Sequence, residues 1–181
     1  SVLLDYAMIY HFFSNDNKVL KPMKKLFNFM KYLIQPDLII SKEMGLCLNP
    51  YLSRTGIALL SQFDNDALFF FKSIQSNSPK YSGISPFLSD DLRLARWSYL
   101  PILNFILIKK LKFNNSKKSL SFQNGWKIFM EAKVCRYYSK NINIFFSAAG
   151  GGMTKIYLKE KLILEDQGYN FKYKNKNYSH N

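Results

Sequence analysis

The chain has 181 residues, enough for one compact domain or two small ones. Hydrophobic residues make up 48% and charged residues 21%, which excludes a disordered tail or a low-complexity linker as the whole molecule. The formal net charge of +14 points to a polyanionic partner, nucleic acid first and an anionic membrane second.

Leu3, Leu4, Ala7, Met8, His11 and Phe12 recur at helical spacing and predict a first helix ending near Ser14 and Asn15. Met23, Leu26, Phe27, Met30, Leu33 and Ile34 predict a second, with Pro22 in its first turn and Pro36 as its stop. Beyond Pro36, residues 38–40, 57–61 and 68–74 read as short strands between Asn, Asp, Gly and Pro turns. Residues 75–91 are rich in Ser, Pro, Asn and Asp and read as an inserted loop. A long apolar stretch, 102–113, follows. Residues 120–122 and 126–130 then read as strands joined by an Asn124-Gly125 hairpin turn. Another strand is expected over 143–147. A glycine run leads to Thr154, read as the N-cap of a short helix to about Leu164. A last strand over 168–173 and a frayed tail complete the chain.

The expected class is α+β: two N-terminal helices with a small sheet, then a mostly antiparallel, β-rich C-terminal part with one short helix. The expected division is 1–61, an inserted loop-rich segment 62–100, a nucleic-acid-binding part 101–173 and a tail 174–181.

The charge is concentrated in one half. Residues 1–91 hold 9 basic and 8 acidic side chains, whereas residues 92–181 hold 17 and 4. Self-repulsion in that half has no intramolecular relief, so the C-terminal half is expected to meet the polyanion. Lys outnumbers Arg 22 to 4 although Arg is the better phosphate fork, which reads as pressure from an A+T-rich genome. Cys47 and Cys135 are far apart and read as buried reduced thiols. The apolar stretch 94–108 is too short, and too interrupted by Arg96, Pro101 and Asn104, to span a membrane.

His11, His180 and the two cysteines have no metal-ligand or nucleophile–base spacing, so neither catalysis nor a metal or other cofactor is expected. The acid pairs Asp64/Asp66 and Asp90/Asp91 read as solvated turn residues. The distinctive segment is Ser147-Ala148-Ala149-Gly150-Gly151-Gly152-Met153-Thr154-Lys155. Its glycines permit positive φ and close backbone approach, so its amides can cradle a phosphate; the alternative is a plain turn.

This segment resembles the STSKGVMT signature of the universal ribosomal small-subunit protein eight family. Ser147, Gly151, Met153 and Thr154 match it in register. Asn124-Gly125-Trp126-Lys127-Ile128-Phe129 stands where that family carries a PGRRIY-like strand. Asp5, Asn15, Pro22 and Lys24 fit its two N-terminal helices. The chain departs from the pattern at Ala148 and Ala149, which replace hydroxyl residues, and at Gly150, which takes the place of a lysine. Residues 36–40 with Thr55, Gly56 and Ile57 resemble small-subunit protein two instead.

The resemblance implies a strand before the signature and a helix after it. It also implies a structural, non-enzymatic protein that binds the central domain of small-subunit rRNA beside neighbouring ribosomal proteins. With the A+T-rich composition, the expected setting is the mitochondrial ribosome, another A+T-rich organelle or a bacterial cytoplasm being the alternatives. No small-molecule substrate and no membrane insertion are expected. The expected RNA contacts are the segment 147–152 with Thr154 and Lys155, and Trp126, Lys127, Lys109, Lys110, Lys112, Lys117 and Lys118. Trp126 and Tyr138 are the candidate base stackers, with a core role as the alternative for each. A competing reading is a basic accessory subunit of an organellar membrane complex held on anionic lipid.

Overall fold

The computed structural model describes residues 2–36, 38, 54–76, 103, 105–107, 109–111, 124–148, 152–166, 170–173 and 176–179. They fall into two units, one helical and one of strands. The class is α+β.

Helix α1 spans Val2–Ser14 and α2 spans Leu20–Met30, joined through Asn15 in the left-handed region and a single 3-10 turn, Asn17–Val19. Asp16 holds that turn by accepting from the Lys18 amide at 3.0 Å. Pro22 is the third residue of α2, where its missing N–H has no helical acceptor to lose. Leu4, Met8, Met23, Phe27 and Met30 are buried from these two helices. Phe27 meets Phe70 edge to face at 6.0 Å.

The strands expected over 57–61 and 68–74 are helices: α3 is Arg54–Leu60 and α4 is Asn65–Ser76. Short apolar runs do not distinguish strand from buried helix by periodicity alone. Here burial at Ala67, Leu68, Phe70, Phe71 and Ile74 follows one helical face. Asp64 caps α4, its Oδ1 accepting from the amides of Asp66 and Ala67 at 2.9 and 3.0 Å. Asp66 in turn pairs with the buried Lys31 at 2.8 Å. The two acids read as solvated turn residues are thus a helix cap and an ion-pair partner. Apart from one bridge residue, Ile34, the described N-terminal part holds no strand, so the small sheet expected there is absent among the described residues. Of the expected strand 38–40 only Leu38 is described, in a bend, and the loop expected from residue 75 begins inside α4.

Two buried polar contacts complete this unit. Asp5 accepts from the Gly56 amide, tying α1 to the start of α3 at 2.6 Å. His11 donates from Nδ1 to the Asp16 carbonyl at 3.0 Å and stands edge-on to Phe63. Leu103 and residues 105–107 are helical and group with this unit. Among the described residues no helix is long and apolar enough to cross a membrane.

The second unit is an antiparallel meander in sequence order: β1 Gly125–Phe129, β2 Val134–Tyr138, β3 Ile142–Ser147, β4 Met153–Leu158 and β5 Lys161–Asp166. The helix expected from Thr154 to Leu164 is therefore the β4–β5 hairpin. Thr154, Ile156 and Tyr157 are β-branched or aromatic and favour a pleated strand. The turn between them, Lys159-Glu160, has φ of 47° and 68°, the left-handed pair of a two-residue hairpin turn. Residues 120–122 lie outside the described residues. β1 is joined to β2 by a turn at residues 130–133. β6 (Asn170–Tyr173) pairs with β7 (Lys176–Ser179), so a strand stands where a frayed tail was expected.

Candidate nucleic-acid interface

Strand alternation gives the sheet two faces, and the pairing register assigns every side chain to one of them. Lys127, Arg136, Phe145 and Lys155 are successive cross-strand partners, as are Phe129, Val134, Ser147 and Met153. On this face Val134, Arg136, Phe145, Ser147 and Tyr157 are buried. Two of its charges are held locally, Arg136 Nε donating to Asn143 Oδ1 at 2.8 Å and Lys155 pairing with Glu165 at 2.9 Å, while Lys127 is exposed.

The opposite face is open. One row crosses all five strands as Trp126, Tyr137, Ile144, Ile156 and Leu164, and the next as Ile128, Cys135, Phe146, Thr154 and Asp166. Trp126 is 58% exposed and Ile128 60%, and Ile142, Leu158 and Leu164 are exposed as well. An antiparallel sheet with one solvated face ordinarily carries polar side chains there; here the solvated face is itself largely apolar. Burial pushes the Cys135 thiol up.

The turns set charge at the rims of the open face. Lys133 ends the β1–β2 turn, Lys140 lies in the β2–β3 turn and Lys159 in the β4–β5 turn, all exposed. Glu131 and Glu160 sit in two of the same turns. The β2–β3 and β4–β5 turns are joined by the Lys159 amide donating to the Asn141 carbonyl at 2.8 Å.

The glycine segment is the loop between β3 and β4. Its ends are fixed by the Ala148 amide donating to the Lys133 carbonyl at 2.8 Å and by the Gly152 amide donating to the Ser147 carbonyl at 3.2 Å. Gly152 has φ of 90°, which glycine adopts readily and other residues do not. Ser147 is fully buried and its hydroxyl has no hydrogen-bond partner among the described residues, so that side chain does not present itself to a ligand. Thr154 donates to the Gly152 carbonyl at 3.2 Å and closes the loop as a strand residue, not as a helix cap. Ala149, Gly150 and Gly151 lie outside the described residues, as do Lys112, Lys117, Lys118 and Cys47.

The remaining expected contacts are not brought to one place. Trp126 and Lys127 are adjacent in sequence but occupy opposite faces of β1, and both are exposed. Lys109 and Lys110 are exposed and group with the helical unit, Lys109 lying 4.2 Å from the Phe105 ring centroid. Tyr138, proposed as a stacker, shares the buried face with Asn143, whereas Tyr137 shares the open face with Trp126. The two rings are 5.2 Å apart and inclined at 54°. Tyr137, Lys133, Lys140 and Lys159 were not singled out from sequence; strand parity counted from Trp126 and the hairpin turns was the signal for them. Among the described residues no three His, Cys, Asp or Glu side chains converge as a metal site. No protein-family model, curated protein or solved structure matches the chain.

Proposed function

We propose that this is a structural RNA-binding protein of a small ribosomal subunit, that of an A+T-rich organelle such as the mitochondrion, and that its C-terminal half meets the rRNA. The observation that carries the reading is the charge: 17 basic against 4 acidic side chains over residues 92–181, with Lys127, Lys133, Lys140, Lys159 and Lys161 exposed on the sheet and its turns. Exposed lysines gain affinity by displacing the counterions of a phosphate chain. The match of Ser147, Gly151, Met153 and Thr154 to the small-subunit protein eight signature supports the ribosomal setting. The β4–β5 hairpin stands where that family has a helix, so the reading rests on charge rather than on the family's fold.

The test is the salt dependence of binding to a fragment from the central domain of small-subunit rRNA. With six or more phosphates neutralised, log K falls against log salt with a slope of roughly −4 or steeper, at about −0.7 to −0.9 per contact. A slope near zero, or binding to anionic vesicles that RNA does not compete away, overturns the reading.

A further inference from the structure

We propose that the open face of the five-stranded sheet takes unpaired RNA bases, with Trp126 and Tyr137 as the stacking platform and Phe146 extending it. The inference deepens the RNA-binding reading and rests on it. Three features of the face carry it.

The first is the placement of the aromatic rings. Trp126, Tyr137 and Phe146 stand on three adjacent strands of one face, while the aliphatic residues Ile156, Leu158 and Leu164 occupy β4 and β5. A base has a π-face of its own, and aromatic side chains on an antiparallel sheet hold splayed bases by stacking. Trp126 stands in the edge strand at 58% exposure, so its indole is reachable without any rearrangement.

The second is where the charge stands. Among the described residues the centre of the face carries no cation, which excludes it as a track for a phosphate backbone. Lysines are instead at its ends: Lys133 where β1 turns into β2, and Lys140, Lys159 and Lys161 at the other end. Strands of five or six residues separate the two ends by about 17–20 Å. A single strand laid across the face would put its bases on the rings and its phosphates toward the rims. A duplex cannot do so, because its bases are already stacked on one another.

The third concerns the other occupants of an apolar face. A second copy would bring another +14 against the first, and that repulsion opposes self-association. A single-stranded polyanion matches both the apolar centre and the lysines at the ends.

The experiment uses the full chain with a fluorescently labelled ten-nucleotide RNA, as a single strand and as a blunt duplex of the same sequence, at one salt concentration. The single strand is expected to bind at least ~10-fold more tightly, since every stacked base adds affinity that a duplex does not receive. Trp126→Ala is expected to weaken single-strand binding roughly 5- to 100-fold and to leave the salt slope unchanged, with Trp126→Phe restoring most of the loss. Lys140→Ala is expected to lower the slope instead, by about one contact. Circular dichroism and a urea titration of each variant report folding; Trp126 is exposed in an edge strand, so its loss leaves the sheet intact.

Equal affinity for duplex and single strand, with Trp126→Ala binding like the parent, overturns the inference and leaves the RNA-binding reading standing. Failure to bind either RNA at low salt overturns both. Self-association by sedimentation that Trp126→Ala abolishes also overturns the inference, because the face then belongs to a second copy.

Discussion

The helical unit and the sheet treat polar and apolar groups in opposite ways. In the helices several ionisable and polar groups are taken inside and matched, Asp5 on the Gly56 amide, Lys31 on Asp66 and His11 on the Asp16 carbonyl, while the buried Thr55 hydroxyl has no hydrogen-bond partner among the described residues. Buried polar atoms without partners cost more than the matched ones contribute, so such contacts fix which helix meets which. In the sheet the inside-out rule is relaxed: Trp126, Ile128, Ile142, Leu158 and Leu164 are exposed on one face, with Tyr137, Ile144 and Ile156 half-buried between them. A protein leaves that much apolar surface open where something else is to cover it. On the function proposed above, the difference separates a part that stabilises the fold from a part that meets the RNA. α1 repeats the theme on a smaller scale, with Leu3, Tyr6, Tyr10 and Phe13 exposed along its outer side.

The sharpest way to break this contrast is to truncate one large aromatic in each unit. Phe27→Ala, at 1% exposure in the helical core, should lower stability by about 3–5 kcal/mol, through the lost burial and the cavity left beside Phe70. Trp126→Ala should lower it by less than about 1 kcal/mol, the scale of one cross-strand pair. Urea unfolding of both variants decides, and comparable losses would mean that the open face is part of the core after all.

Removing one charge from the buried pair is the next largest effect. Lys31→Met leaves the Asp66 carboxylate without its ammonium partner at 2.8 Å in a site only 14% exposed, and about 2 kcal/mol of stability should go. The comparable change in the sheet, Lys155→Met against the more exposed Glu165, should remove well under that. The pair of unfolding curves measures the difference.

A smaller and opposite effect is expected at the β4–β5 turn. Lys159 and Glu160 both hold positive φ without the relief that Gly or Asn gives. Glu160→Gly should therefore stabilise the chain by up to ~1 kcal/mol, and by removing an acid beside Lys159 it should strengthen RNA binding slightly. A lower unfolding midpoint for this variant would show that the turn is not the strained feature described above.

The mildest probe reads the open face chemically. Burial raises the Cys135 thiol above its ordinary value of 9.0, so less thiolate is present at neutral pH than in a free cysteine. In a Cys47→Ser chain, iodoacetamide labelling of Cys135 should be slow at pH 7 and keep accelerating past pH 9.0. Bound single-stranded RNA should slow it further, because Cys135 lies between Ile128 and Phe146 on the face that the bases would cover.

The sequence by itself determined α1 and the body of α2, where a 3.6-residue apolar period runs long enough to be unambiguous and Pro22 stands in the first turn; α2 ends at Met30, short of Leu33, Ile34 and the stop expected at Pro36. It also determined the strands expected over 126–130, 143–147 and 168–173, found at 125–129, 142–147 and 170–173, and the concentration of lysine in the second half. It misread α3 and α4 because runs as short as 57–61 and 68–74 carry too few turns to show a period. It misread the β4–β5 hairpin because Lys159-Glu160 lacks the glycine or asparagine that normally announces such a turn, while Thr154 after glycines imitates a helix cap. Only tertiary structure decided which side of the sheet each residue takes. Trp126 and Lys127 read as one patch along the chain, yet strand parity sends them to opposite faces, and Ser147 goes inside while Cys135 and Phe146 line the open side. A one-residue change of register would exchange those faces entirely, and nothing short of the cross-strand pairing fixes it.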